Sequence, residues 1–500
     1  MLVWASDSVS SRPNPLNPPL KASKSPFILI SLTLYRLGFT FEENISRMKK
    51  LSILLIALIG LASCSTTKKV AQSAKSVVPA KKGIQFQEYD LPNGLHVILH
   101  EDHTIPTVAI SVLYHVGSKN EDPTRTGFAH FFEHLLFEGS ENIERGEYMK
   151  LVQNNGGVIN ANTSFDRTFY FETMPSNKLE LGLWMEAERM LHPKIDDIGL
   201  ETQRQVVKEE KKQRYENTPY GHLIGQVFEN AYEKHPYRWM PIGEAQYIDE
   251  ATLPEFMDFF KTFYVPNNAT ISVGGDLDPK QAKIWIEKYF GGIPRGTKAI
   301  PRPTIVEPQQ TAEKRVMFYD KVQLPAVVLA YHIPEQGTED FYAMDLLTTI
   351  LSRGKSSRLQ KEVVDKQQKA LQAAAFSFPT EDPGLAIMFG LCNMGIDADG
   401  LEASMTEQVD LIRNTKVSES ELEKAKSQKE NEFVNKNRRV LNLVENLANY
   451  HAYLGDANLI NTELDRYMKV TTDDMARVAK KYLVNTNRLV LHYLPENLKK

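Results

Sequence analysis

The chain repeats itself, and the repeat constrains its fold more than any other feature. The stretch "VAISVLYHVGS…TGFAHFFEHLLFEGS" lies over "AVVLAYHIPEQGTEDFYAMDLLTTILSRGKSS", and "EFMDFFKTFYVPNNATISV" lies over "DDMARVAKKYLVNTNRLVL". The offset is about 214 residues at the first match and 218 at the second. A steady offset over so long a span points to two copies of one supersecondary unit, so whatever sheet and helices one copy builds, the other must build as well. With 500 residues, 42% of them hydrophobic, the chain has material for more than one packed core.

The order of patterns within each copy sets the fold class. From about residue 84, "IQFQEYDLPNGLHVILHED" places an Asn93-Gly94 turn between two strand-like runs, a hairpin signal, and "TVAISVLYHVGS" reads as a third strand. Helical periodicity follows in "TGFAHFFEHLLFEG", "NKLELGLWMEAERML" and "LETQRQVVKEEKKQRYEN", and "NATISVGGDLDP" reads as a closing strand. Residues 291–314, rich in Pro, Gly and Thr and without apolar period, read as a linker. The second copy opens with the strands "KRVMFYD" and "PAVVLAYHIP" and ends with "NRLVLHYLPEN". The expectation is an α+β fold of two homologous domains, 84–290 and 315–500, each an antiparallel-rich sheet packed with helices.

The two cysteines sit in unlike surroundings. Cys392 lies in the apolar run "GLAIMFGLCNMG" and reads as a buried thiol, so neither a disulfide framework nor a cysteine metal cluster is expected. Cys64 ends "MKKLSILLIALIGLASC", where Lys49 and Lys50 precede thirteen mostly apolar residues, a stretch short for a membrane-spanning helix and shaped like a signal peptide. "LASC" looks like the lipobox of bacterial lipoproteins, in which the cysteine is lipidated. Residues 48–64 are therefore expected to be a lipoprotein signal peptide, 65–83 a polar tether, and 1–47 an extension from a start placed too early. The location that follows is the bacterial cell envelope, lipid-anchored and facing the periplasm, and Ser65 after the cysteine fits the outer membrane. The 59 basic and 63 acidic residues form no large block of one sign, which gives no support for nucleic-acid binding.

The chemistry concentrates in "HFFEH". On a helix His130, Glu133 and His134 share a face, so two imidazoles one turn apart can chelate one ion with a carboxylate beside them. This is H-E-x-x-H with its order inverted. A catalytic zinc commonly takes three protein ligands and keeps a fourth position open. The sequence offers the third in "ETQRQVVKEEKKQRYEN", at Glu209 or Glu210 on a helix whose Val206 and Val207 are expected to face the core. The second copy cannot do the same, because the overlay sets Met344, Leu347 and Thr348 against His130, Glu133 and His134.

"HFFEH" followed about 75 residues later by "RQVVKEE" resembles the pitrilysin and insulysin family of inverted zincins, most of all its mitochondrial-processing-peptidase branch. "GGVINANTSFDRTFY", "HPYRWMPIGE" and "FYVPNNATISVGGDLDP" extend the resemblance over about residues 84–495. It implies that His130, His134 and Glu210 hold one zinc ion per chain, with Glu210 chosen over Glu209 by the R-x-V-V register, and that Glu133 is the general base. It also implies that a strand through Asn160 and Ala161 pairs with the backbone of extended peptide substrates, and that the two domains form half of a clam-shaped chamber. A chain of this length then needs a second half, either another copy or a related chain without the metal motif. The family often has a glutamate seven positions before the metal carboxylate, where this chain has Gln203. The expected function is a zinc-dependent endopeptidase; the alternative is a non-catalytic peptide-binding or scaffold subunit of the same fold.

Overall fold

A computed structural model of the chain describes residues 83–499. The expected upstream extension 1–47, the signal peptide with Cys64, and the tether up to residue 82 lie outside the described residues.

The described chain forms two sheets. The first contains β1 (Gln87–Asp90), β2 (His96–Glu101), β3 (Thr107–Tyr114), β4 (Val158–Thr163), β5 (Thr168–Pro175) and β6 (Ala269–Gly275), in the spatial order β1-β2-β6-β3-β5-β4. The second contains β7 (Lys314–Asp320), β8 (Ala326–His332), β9 (Ala370–Phe378), β10 (Leu385–Cys392) and β11 (Arg488–Pro495), ordered β7-β11-β8-β10-β9. Without β1 the two orders coincide, down to the single parallel pair in each, β2 with β6 and β7 with β11. The repeat in the sequence is thus a repeat of topology. The Asn93-Gly94 turn does close β1 onto β2, with Gly94 in the left-handed region at φ +88°. The third strand is not its neighbour, because β6 inserts between β2 and β3.

The helices that position the chemistry are α1 (Phe128–Leu135), α2 (Leu179–Leu191), α3 (Asp197–Lys211), α4 (Leu223–Ala231), α5 (Leu253–Phe263), α6 (Pro279–Phe290), α7 (Glu339–Ser352), α8 (Ala398–Asn414) and α9 (Val440–Leu454). α1, α2, α5 and α6 share a core with Val97, Leu99, Val108, Ile110 and Val112 of the first sheet. α7 and α8 share another with Val327, Leu329 and Tyr331 of the second. Alternate residues of the same strands point the other way and need a second cover, which explains why β3 and β8 read as near-continuous apolar runs.

Each copy supplies that cover for the other. Leu223, Val227, Phe228 and Ala231 of α4 pack on Ala326, Val328, Ala330 and Leu491 of the second sheet. Leu443 and Leu447 of α9 pack on Ile98, and Ala448 on Leu113 and Phe169, of the first. Gly274 on β6 allows the close approach of α9, since a Cβ there would lie 2.7 Å from Val444 Cγ1. α4 and α9 begin about 217 residues apart and are equivalent in the repeat, so the two copies exchange one helix each. Residues 291–313 between them hold neither helix nor strand.

A buried charge cluster joins the copies as well. Lys119 Nζ lies 2.9 Å from Asp166 Oδ1, 2.6 Å from Glu381 Oε2 and 3.1 Å from Asp382 Oδ2. Tyr237 Oη donates to Asp166 Oδ1 (2.6 Å), and His115 Nε2 pairs with Glu381 Oε2 (2.8 Å). No described helix is long and apolar enough to cross a membrane.

Candidate metal centre

Helix α1 is fixed from three sides. Phe128 and Phe131 stack on Phe256 of α5 with ring centroids 4.5 and 4.7 Å apart, and Phe132 stacks on Phe259 at 5.7 Å. Tyr170 Oη on β5 donates to the Phe132 carbonyl (2.8 Å), and Arg189 on α2 donates to that of Leu136 (2.9 Å). At its start, Gly127 takes the left-handed conformation (φ +97°), and the amides of Gly127 and Ala129 donate to the Glu121 carboxyl at 2.9 and 2.8 Å. Burial pushes that carboxyl up to about 8 despite these donors.

With the phenylalanines inward, His130, Glu133 and His134 share the face turned toward α3. That helix starts on the Asp196 N-cap, which accepts from the Gly199 amide (2.8 Å). Arg145 joins Asp196 (2.7 Å) to Glu138, and Gln203 donates to the other Glu138 oxygen, so the chain after α1 is tied to the first half of α3. Gln203 occupies the position where the family often has glutamate. Its amide suits a site already holding the Glu138 carboxylate.

The structure brings His130, His134 and Glu210 together, with one donor atom from each within 4.8 Å of the others. Glu210 Oε2 is 3.0 Å from His134 Nε2 and 3.7 Å from His130 Nε2, while Arg214, one turn later, holds Oε1 at 2.8 Å. Glu209 points elsewhere, exposed and bonded to Gln213. Val206 and Val207 do not both face the core as expected: Val207 is buried and Val206 is 43% exposed, because neighbours on a helix are about 100° apart. Glu133 lies against β4, where Thr163 Oγ1 donates to its Oε2 (2.6 Å). Asn160 is exposed and Ala161 buried on the same strand, which pairs with β5 on one side and ends the sheet. The Ala161 amide donates to Asn160 Oδ1 (2.9 Å). In the second copy Met344, Leu347 and Thr348 are buried in α7.

The protonation states fit a cation. Burial, then the neighbouring His134, lowers His130 to about 3, which keeps its imidazole neutral. Burial alone would raise Glu210, but the hydrogen bond from His134 and the nearby imidazoles and Arg214 guanidinium outweigh it and hold the carboxylate at about 2. His130 Nδ1 is buried without a hydrogen-bond partner. Two imidazoles and one ionised carboxylate are a donor set that suits zinc. Burial also raises the Glu133 carboxyl, against the donor from Thr163. Sequence reasoning missed Thr163 and Arg214; the i, i+4 spacing of Arg214 from Glu210 was the one available signal.

The fold has its relatives among peptidases. Residues 96–240 match the family model for insulinase, peptidase family M16, and residues 250–429 that for the peptidase M16 inactive domain. The chain is 31% identical over 442 residues to the zinc protease PqqE of Helicobacter pylori, covering 88% of this chain and 98% of that protein. A crystal structure of a protease from Helicobacter pylori superposes with a TM-score of 0.79 at 31% identity, covering 82% of this chain and 100% of that one. The periplasmic protease PqqL of Escherichia coli superposes with a TM-score of 0.69 at 18% identity, covering 82% of this chain and 47% of that one. This chain belongs to peptidase family M16, which includes proteins named zinc proteases.

Proposed function

We propose that the chain is a zinc-dependent endopeptidase acting on extended or unfolded peptides, with His130, His134 and Glu210 as metal ligands and Glu133 as general base. The observation that carries this reading is the convergence of those three donor atoms within 4.8 Å beside the half-buried Glu133 carboxylate. A zinc ion held there would supply Lewis-acid chemistry, acidifying a water and polarising a peptide carbonyl. Glu133, steadied at Oε2 by Thr163, takes a proton from the attacking water and returns it to the leaving amine. Arg214 holds Glu210 Oε1 and so would orient the carboxylate for holding an ion.

Substrate selection follows from strand β4. Its outer edge has no strand partner among the described residues, so the backbone around Asn160 and Ala161 can add an extended peptide as another strand and read its main chain. Cys64 carries the lipid that holds the chain at the cell envelope, facing the periplasm. The working particle contains two such chains, a homodimer or a pair with a related chain lacking the metal motif; the 47% coverage of PqqL supports a half-chamber reading.

The test is a pair of variants of neighbouring residues, Glu210→Gln and Glu209→Gln, assayed for bound zinc and for cleavage of a pool of unstructured peptides. Glu210→Gln is expected to lose zinc from this site and to lose cleavage, and Glu209→Gln to keep both. Equal effects of the two would contradict the ligand assignment. Zinc bound without cleavage in the wild type would favour the scaffold reading.

A further inference from the structure

A second group of metal-competent side chains shares no residue with the centre on α1. Glu88 on β1, His96 at the start of β2 and His451 near the end of α9 each bring one donor atom within 4.8 Å of the others. The rings of His96 and His451 stack with centroids 3.4 Å apart and planes parallel to within 1°. Asp90 Oδ1 lies 2.8 Å from His96 Nδ1. A carboxylate there accepts a hydrogen bond from Nδ1–H and favours the tautomer in which Nε2 presents its lone pair, the arrangement usual behind a metal-bound histidine.

That Nε2 is buried and has no hydrogen-bond partner, in a residue only 9% exposed. It faces Glu88 Oε2 at 3.4 Å, so in that tautomer two electron-pair donors oppose each other. An unpaired buried polar atom is a cost that folded proteins rarely leave standing. A cation between the two atoms removes it.

We propose that Glu88, His96 and His451 form a second site, for a divalent transition metal, and that the bound ion pins α9 of the second copy to the β1–β2 hairpin of the first. Two imidazoles and one carboxylate select Zn2+ and its neighbours Co2+, Ni2+ and Cu2+ over the oxygen-seeking Ca2+ and Mg2+. Coordination requires the parallel rings to tilt until their lone pairs converge, and His451 is only half-buried. Glu88, with 42% of its side chain exposed, leaves an approach from solvent and a position for water. The ion binds only when α9 is docked, so it stabilises the helix exchange by mass action.

The experiment is titration of the metal-stripped full chain with Zn2+ by calorimetry, repeated with Co2+ by visible absorbance. The wild type is expected to take two equivalents, His451→Gln one, His130→Ala/His134→Ala one, and the triple variant none. In the His130→Ala/His134→Ala background Zn2+ should raise Tm, and adding His451→Gln should abolish the rise. One equivalent in the wild type with none left in His130→Ala/His134→Ala would overturn the proposal. If that double variant does not fold, the wild type against His451→Gln still decides, since an unchanged stoichiometry overturns it. If the α1 centre binds no zinc, the wild type takes one equivalent, which survives loss of His130 and His134 and disappears with His451.

Discussion

Replacing Lys119 with methionine removes one cation and leaves three carboxylates, Asp166, Glu381 and Asp382, facing one another across the junction of the two copies. The methionine keeps most of the packing volume, so the loss is electrostatic. Breaking a buried ion pair from one side costs about 3–5 kcal/mol. The Lys119 side chain is 4% exposed and that of Asp166 6%, but those of Glu381 and Asp382 are 24% and 36% exposed and keep some water. The low end therefore applies, about 3 kcal/mol at pH 7. Urea denaturation read by tryptophan fluorescence measures it, and Trp239, whose indole donates to the Ser118 carbonyl (2.9 Å), reports from beside the cluster. The effect has a pH signature. Burial alone would raise Asp382, but His235 and Lys119 outweigh it and hold the carboxyl at about 2, and Glu381 is lowered by His115 and Lys119 against its own burial. Carboxyls depressed in the folded state contribute stability above their unfolded values, near 4, and that contribution is lost as pH falls toward 2. Burial lowers Lys119 but the three acids raise it further, so its own contribution persists at neutral pH and is lost only in strong alkali. The gap between wild type and variant should thus be widest near pH 7 and close as pH falls from about 4 toward 2. A loss under about 1 kcal/mol, or a gap that does not change with pH, would refute this reasoning.

Thr163→Val removes the donor to Glu133 and should lower kcat about tenfold while leaving bound zinc unchanged, measured by steady-state cleavage and metal analysis. Ala161→Pro deletes an amide that bonds to the Asn160 side chain; it should raise KM about tenfold with Tm nearly unchanged, and a KM equal to wild type would remove β4 as the substrate strand. Cys64→Ser should move the protein from the membrane fraction to the soluble fraction on cell fractionation. Phe256→Ala opens the aromatic stack under α1 and should cost about 3–5 kcal/mol by urea denaturation, with loss of zinc from the α1 centre.

What the sequence made legible was local or repeated. The face shared by His130, Glu133 and His134 follows from helix geometry alone, and the common strand order of the two sheets follows from the repeat. The edge strand β9, "ALQAAAFSF", was not legible, because its alanine-rich composition favours no strand until β10 pairs with it. The exchange of α4 and α9 escaped for a related reason: an amphipathic helix declares that it has an apolar face, not which sheet that face covers. Lys119 in "GSKNED" reads as a loop surface residue, since its partners Glu381 and Asp382 lie more than 250 positions away. Thr163 was hidden inside a strand pattern, and its role appears only once α1 packs against β4.

The measurement that tests the central claim most directly is zinc content together with peptide cleavage for Glu133→Gln beside the wild type. The variant keeps the shape of Glu133 and the Thr163 contact but cannot take a proton. The account predicts wild-type zinc content and a fall in kcat of about 10²–10⁴. Cleavage at the wild-type rate with zinc still bound would contradict it, because the proton would then be moving through some other group.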